Sequence, residues 1–582
     1  MILQALTEYY DALLEQGEIS PPGWDNACKV NFGLELDEKG NIIALIPYQR
    51  TVKQGKKEKV LNNQLMRVPS RVKKTSGVAA NFLCDNATYL LGADTKGNPV
   101  RAKKCFAAAR ELHEKLLSEV DSLAAKAILN FFEHWEPEKG EQNSVLSPEW
   151  EEVTGAGNLI FCFDMEPVTS DPAIVQAWQR YYESKDEDTE TGQCLVTGKT
   201  DTIARLHPSI KGVQGAQSSG ASLVSFNAPA FNSYGHSQGG NAPVSEYAAF
   251  AYTAALNYLI ADKEHCKVIG DTTVICWAQH GQKAYQDIGM DALFGPQQGI
   301  SDQDLSALLN KLSHGEACQW EDIILDPDEH FYFLGLAPNA SRLSVRFFLR
   351  DSFGNFMKNL DSHYKDIAVI RPAYDNRENI PLWQLLNETV NQNSRNKAAS
   401  PQMTGNVLQS ILTGTPYPST LLNGAELRIR AEKDITRGRA AIIKAYYLRR
   451  PNPGCPKEIL QMKLNESSTN IPYTLGRMFS VYEQIQQAAN PNINSTIKDK
   501  YFNSASATPA IIFPMLGNLA QKHLRILRRD KGGLAVYYDR KLGEFSKIIG
   551  EAFPSRLTLP EQGSFQLGYY FENQEHYQKK ED

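Results

Sequence analysis

The chain has 582 residues, 42% of them hydrophobic and 22% charged, with a net charge of −6. It is too long for one hydrophobic core and too apolar for wholesale disorder, so roughly three or four folding units are expected. The longest mostly apolar stretch, 247–260, is too short to cross a bilayer, and the nine cysteines contain no CxxC pair that would signal structural zinc.

The opening MILQALTEYYDALLEQG carries acids where a signal peptide carries bases, and its spacing predicts an amphipathic helix over 4–16. A cytoplasmic protein is the expectation. IIALI (42–46) predicts a strand, 101–133 a helix, and LIFCF (159–163), bounded by Gly157 and Pro167, a buried strand. The acidic ESKDEDTETG after it predicts a linker or exposed loop. Residues 194–243 are dense in Gly, Ser, Asn and Gln, yet Leu223, Val224, Phe226 and Phe231 are too apolar for a free linker. An ordered, loop-rich surface is expected, with Gly220, Pro229 and the phenylalanines as scaffold. Pro243 and Ser245 then open a helix with Tyr247, Ala251, Ala254, Ala255, Tyr258 and Leu259 on one stripe.

FYFLGL (331–336) and LSVRFFL (343–349) predict a β-hairpin, and GNFMKNLDSHYKDI a helix. From about 376 the pattern is helical. YTLGRMFSVYEQIQ, PAIIFPMLGNLAQKHLRIL and YYDRKLGEFSKIIG each carry apolar residues at helical spacing, with a loop and a short helix between the first two. Their expected inward faces include Leu475, Met478, Phe479, Tyr482, Ile485, Ile512, Met515, Leu519, Leu524, Leu527, Phe545, Ile548 and Ile549. The fold class is α+β: a mixed multi-domain N-terminal portion with small antiparallel sheets and a loop-rich surface, followed by a C-terminal all-α helical bundle. The expected units are 1–190, 191–375, 376–461 and 462–582.

Charge is segregated. Residues 50–74 hold nine Lys or Arg against Glu58; 426–450 hold eight bases against three acids; 522–531 hold five against Asp530. Clustered bases suit a face that holds phosphate, although solvated faces also cluster. No cofactor is expected. Cys194 and His207 form at most half of a metal site, so no metal is expected either. Gly198-Lys199-Thr200 has its upstream Gly192 one residue too far for a phosphate loop, and Gly215 to Gly220 is followed by Ala221 where lysine is required. GHSQG (235–239) fits the nucleophile elbow of serine hydrolases, but Pro229, Gly239, Gly240 and Pro243 stand where its strand and helix must run. With no carboxylate pair in a Gly-rich turn that suggests a nuclease metal site, a non-enzymatic binding protein is the expectation.

The segment RVPSRVKKTSGVAANFLCDNATYLLG (67–92), CLVTG with LHPSIKGVQG (194–215), SSGASLVSFNAPAFNSYG (218–235) through NAPVSEYAAFAYTAALNYL, and in the tail YTLGRMFSVYEQIQ, INSTIKDKYFNSASATPAIIFP and LAQKHL together resemble the large subunit of type I-C CRISPR complexes. That resemblance implies a Cascade component that reads the protospacer-adjacent motif in duplex DNA, helps open it, and docks the helicase–nuclease that cuts. The implied partners are CRISPR RNA, target double-stranded DNA, the backbone and handle-capping subunits, and the small subunit, with no membrane. The first loop expected at the motif holds Arg71, Lys73, Lys74, Thr75, Ser76 and Asn81. Asn81 either closes its own turn or offers an amide to a base edge; Asn86 closes a turn. The second loop offers Lys211, Gln214, Gln217, Asn227, Asn232 and Gln238. In the tail, which resembles the small subunit, Lys522, Arg525, Arg528 and Arg529 are expected to grip a strand. The family also makes its small subunit from an internal start, which here points to Met462, or next to Met478. Competing readings are a serine hydrolase on Ser237 and a protein-only scaffold.

Overall fold

The computed structural model describes residues 1–54, 57–72, 77–94, 97–155, 157–184, 190–295, 301–375, 377–395 and 397–578. It divides into two compact units: residues 3–207 with 226–252, and residues 208–225 with 253–582. The chain leaves the first unit at His207, returns at Phe226, and passes finally to the second inside a helix.

In the first unit the helix Ile2–Glu15 (α1) forms as its spacing predicts. The predicted strand Leu159–Phe163 is buried along nearly its whole length and lies inside a five-stranded sheet. It runs parallel to Phe32–Leu36 and antiparallel to Cys84–Asp85, while Ile42–Pro47 pairs on the outer side of Phe32–Leu36. A continuous apolar run is what a strand covered on both faces requires. The predicted helix over 101–133 is two helices, Pro99–Leu117 (α2) and Leu123–His134 (α3). Ser122 makes the break: its side chain accepts the N–H of Ala125 at 3.3 Å and caps the second helix. Phe131 and Phe132 of α3 meet Phe161 of the sheet at 5.2 and 5.7 Å between ring centres. Buried His113 of α2 accepts the N–H of Leu83 through Nε2. Burial lowers its pKa to about 4, so the neutral ring serves as a core strut.

The basic stretch that begins at Arg50 folds as an antiparallel pair, Arg50–Gln54 with Lys57–Leu61. Of the acidic ESKDEDTETG, residues 185–189 lie outside the described residues, and Thr191–Gln193 is a strand paired with Thr200–Thr202 rather than a loop. The loop-rich segment is ordered, as expected, although Phe231 is 42% exposed and so is not a core anchor. The helix Glu246–Ala261 (α4) opens at Ser245, whose hydroxyl accepts the N–H of Ala248. Its apolar residues do not form one stripe. Ala248, Ala249, Ala251, Tyr252, Ala255, Leu256, Leu259 and Ile260 are all buried, and the alanines let neighbours approach from several sides.

The second unit holds a four-stranded antiparallel sheet in the order Lys267–Ile269, Thr272–Ala278, His330–Asn339, Arg342–Ser352. The last two strands are the predicted hairpin, extended at both ends. Phe353–Ile367 (α5) follows, capped by Ser352. Helices then run to the tail, among them Arg437–Arg449 (α6), Ile471–Ala489 (α7), Ile497–Ala507 (α8), Pro509–Asp530 (α9), Gly532–Ile549 (α10) and Leu559–Gln578 (α11). The apolar core of this unit is continuous from Val274 to Phe571. The chain positions 375 and 461, where breaks are expected, fall inside that span. Met462 itself is tied in, since its carbonyl accepts the N–H of Ile370 at 2.8 Å.

Two details of the tail differ from the pattern. On α9 the inward face is Phe513, Leu516, Ala520, Leu524 and Leu527, so Met515 is 41% exposed instead of buried. Phe513, stacked on Phe553 at 5.3 Å, sets that rotation. The helix α11, which apolar spacing does not single out, lies against α7 so closely that an added Cβ on Gly476 would meet the Phe565 carbonyl oxygen at 1.9 Å. Gly568 stands equally close to the Tyr473 carbonyl oxygen, at 2.1 Å. Gly476→Ala should therefore force the helices apart and cost about 1–3 kcal/mol or more, read as a lowered melting temperature of the full chain. Gly543→Ala, where a new Cβ meets nothing within 4 Å on α10, should instead stabilise by roughly 0.5–1 kcal/mol.

Candidate nucleic-acid interface

Basic residues mark a phosphate surface only if they face solvent, and half of the eight bases in 426–450 fail that condition. Arg430 and Arg450 are exposed and Arg428 and Lys433 half-buried, but the other four are not. Helix α6 is packed on nearly every side, with Arg437, Arg439, Lys444 and Arg449 buried or nearly so. Arg437 pairs with Asp375 at 2.9 Å and donates to the carbonyls of Arg377 and Glu378. Arg439 pairs with Glu388 at 3.3 Å and with Glu432. Lys444 donates to the carbonyls of Lys365 and Asp366, at 3.0 and 2.8 Å, in the last turn of α5. Burial lowers its pKa to about 8. Arg449 pairs with Asp366 at 2.7 Å and lies 4.3 Å over the Tyr417 ring. These four bases are internal masonry and not a phosphate surface.

In the first loop, Lys73, Lys74, Thr75 and Ser76 lie outside the described residues. Arg71 is partly exposed and donates through Nε and Nη2 to Asp25 Oδ2 at 3.2 and 2.9 Å. Asn81 is 5% exposed; its Oδ1 accepts the N–H of Val72, and its own N–H bonds Asp85. It closes the loop between them and does not present its amide to a base. Asn86 caps a short helix by accepting the N–H of Thr88, as expected of a turn former.

The second loop divides between the units. Lys211, Gln214 and Gln217 belong to the second and are exposed. Their backbone is pinned: the Lys211 N–H bonds Asn257 Oδ1 at 2.8 Å, the Gln214 N–H bonds Thr273 Oγ1 at 3.1 Å, and Ile210 bridges Ala221. Asn227, Asn232 and Gln238 belong to the first unit, with Arg71 and Asn81. Asn227 and Asn232 are exposed, whereas Gln238 is half-buried and accepts from Arg205 at 3.2 Å. Gly239 is needed there, because a Cβ would lie 2.0 Å from the Ala204 carbonyl oxygen. The sequence pattern does not mark Tyr234. Its ring is fully exposed, on a residue with φ +53°, beside Gly235 at φ +81°. An aromatic inside a Gly/Asn-rich run was the available signal.

Ser237 is extended (φ −118°, ψ 152°) and precedes only a 3-10 turn, Gln238–Asn241. The strand–turn–helix of a nucleophile elbow is not built around it. Cys194 and His207 are engaged inside the protein. Burial pushes the Cys194 thiol up, but hydrogen bonds from Ser245 and Thr197 outweigh it and hold the pKa at about 7. His207 Nδ1 meets the Tyr252 hydroxyl at 2.8 Å. Among the described residues no group of three or more His, Cys, Asp or Glu could hold a metal ion, and no helix is long and apolar enough to cross a membrane.

On α9, Lys522, Arg525, Arg528 and Arg529 are all exposed. Arg528 pairs with Asp539 at 3.0 Å and Arg529 with Asp530 at 2.9 Å, while Lys522 and Arg525 have no ionic partner among the described residues. Two of the four expected cations are therefore free to meet phosphate.

Together these features define a mixed α+β protein that offers exposed amides and bases from ordered loops and a helical tail. A family comparison makes this specific. The model of the CRISPR-associated protein family Cas_Csd1 matches residues 6–577, and the chain belongs to that family. It is thereby a Cascade-type protein, a member of an assembly with other Cas subunits and CRISPR RNA. No curated protein matches the chain.

The two kinds of basic residue should separate in a thermal melt. Arg437→Leu strands Asp375 and two carbonyls and should cost about 3–5 kcal/mol. Lys522→Ala with Arg525→Ala, both on the surface, should leave stability within roughly 0.5 kcal/mol of the parent.

Proposed function

We propose that the chain is the large subunit of a type I-C Cascade complex. It reads the protospacer-adjacent motif in duplex DNA, helps open the duplex and recruits the helicase–nuclease, and cuts nothing itself. The observation that carries this reading is the exposed amides of Gln214 and Gln217 on a pinned loop of the second unit, with those of Asn227 and Asn232 exposed on the first. Amides present donor and acceptor together, the pattern that distinguishes base edges in the major groove. Lys522 and Arg525 then add attraction to phosphate that carries no sequence information.

Titration of the assembled complex with motif-bearing and motif-free duplexes tests the assignment. Gln214→Ala with Gln217→Ala, or Asn227→Ala with Asn232→Ala, should narrow the difference between the two duplexes by about 1–3 kcal/mol per lost bidentate contact. Lys522→Ala with Arg525→Ala should weaken both alike and flatten the salt dependence by about two units. Unchanged discrimination in both amide pairs would remove the loop from the motif.

The same reading makes Met462 the start of a second product, a small subunit spanning 462–582. Expression of the message with a C-terminal tag should give a second band at about one fifth of the 65.0 kDa chain. Its absence, or its survival when Met462 and Met478 are both changed to Leu, would overturn the internal start.

A further inference from the structure

A cleft of about 660 Å³ in the second unit is lined by one face of α11, by the turn at Tyr374, by the segment that opens α6, and by Lys498 of α8. The α11 lining includes Tyr570, Asn573, Gln574 and Tyr577, spaced i, i+3, i+4 and i+7, so these side chains share one side of the helix, with Tyr569 at the edge donating its hydroxyl to Glu483. We propose that this cleft receives one unpaired nucleobase of a single strand.

Charge comes first. Both cations in the lining are already neutralised: Lys498 pairs with Asp434 at 2.7 Å and Arg437 with Asp375 at 2.9 Å. A phosphate or a metal ion gains little in such a site, whereas an uncharged polar ligand loses little. The walls then select the shape. Tyr374 is 88% exposed and Tyr577 46% exposed, while Tyr570 between the helices is buried with its hydroxyl donated to the Ile370 carbonyl at 2.6 Å. Exposed tyrosine faces at a cleft of this size suit a flat ring that stacks. Finally, the half-buried amides of Asn573 and Gln574 have no hydrogen-bond partner among the described residues. The Arg437 Nε is buried without an acceptor as well. A planar heteroaromatic with a donor–acceptor edge satisfies both the rings and the amides, and a nucleobase is such a ligand. A paired base cannot enter, because its edge and faces are taken up in the duplex.

This inference rests on the nucleic-acid reading above, yet it has its own readout. The full chain is titrated with a single-stranded oligonucleotide carrying 2-aminopurine, as DNA and as RNA of the same sequence. Binding should quench the fluorescence as the base stacks. Tyr374→Leu, and separately Asn573→Ala with Gln574→Ala, should weaken binding about tenfold, the order expected from losing one stacked base. The salt dependence should stay unchanged, and so should the melting temperature, since Tyr374 is a surface residue. A tighter DNA arm assigns the base to the displaced strand and a tighter RNA arm to the guide. Unaltered quenching and affinity in both variants, with the melts confirming folded protein, would overturn the cleft. If quenching depends on Tyr374 while the loop amides leave motif discrimination unchanged, motif reading falls and the base site stands.

Discussion

A cation withdrawn from water must recover its hydration from fixed partners, and α6 requires this of Arg437, Arg439, Lys444 and Arg449 together. The partners come from far along the chain. They include the end of α5, Asp375, the carbonyls of Arg377 and Glu378, Glu388, the carbonyls of Ser410 and Thr415, and Glu432. Each arginine fork or ammonium accepts one geometry well and others poorly. Most of the connections between the sheet and the tail helices are therefore held by reference to a single helix. Removing one cation leaves a carboxylate or a carbonyl buried without its counterpart, which costs more than the pair itself contributes. The cleft at Tyr374 inherits this rigidity, since the neighbouring Asp375 is what Arg437 holds.

The same logic governs α11. Its buried positions include Ser564, Gln566 and Glu572 as well as aromatics. Ser564 donates to the Gly454 carbonyl, Gln566 to Glu426, and Glu572 receives Arg477 at 3.0 Å along with Lys541. Gly476 and Gly568 bring the backbones of α7 and α11 together, which places these polar groups within reach of their partners. Glu426, Gly454 and Ile370 all precede Met462. A product that began there would keep the α7–α11 crossing but lose those three contacts, and would have to replace them with water or with a neighbouring subunit.

Apolar patterning was legible in α1, whose spacing marks one face, in the continuous apolar runs of the strand Leu159–Phe163 and of the first strand of the hairpin at 330–352, and in the apolar positions of α7. It failed where burial is polar. The eight bases of 426–450 look like a binding face when counted, but a count carries no direction, and the carboxylates that neutralise Arg437 and Arg439 include Asp375 and Glu388, outside the window. Helix α11 has no apolar stripe to read because its inner face carries Ser, Gln and Glu. On α9, Met515 and Phe513 are both large and apolar, and only the stacking partner Phe553 decides which points inward. Asn81 was ambiguous from sequence because its two roles use the same amide, and only the position of Val72 resolves them.

Within the candidate interface, the groups that anchor the loops differ from the side chains the loops expose. Gly/Ser/Asn-rich segments ordinarily lose much conformational freedom on binding, which weakens them as readers. Here that ordering is supplied by the fold in advance. Asn257 and Thr273 hold the backbone at Lys211 and Gln214, the Ile210–Ala221 and Ser222–Arg342 bridges close the segment, and Gly239 lets its turn lie against Ala204. The groups that do this are backbone amides and inward side chains such as Thr273, which are thereby engaged within the protein. The side chains left exposed, Gln214, Gln217 and Asn232, contribute little to holding the loop. Substituting an anchoring residue should change the loop's shape and every contact it makes, whereas substituting an exposed amide should alter only the recognition of its own partner.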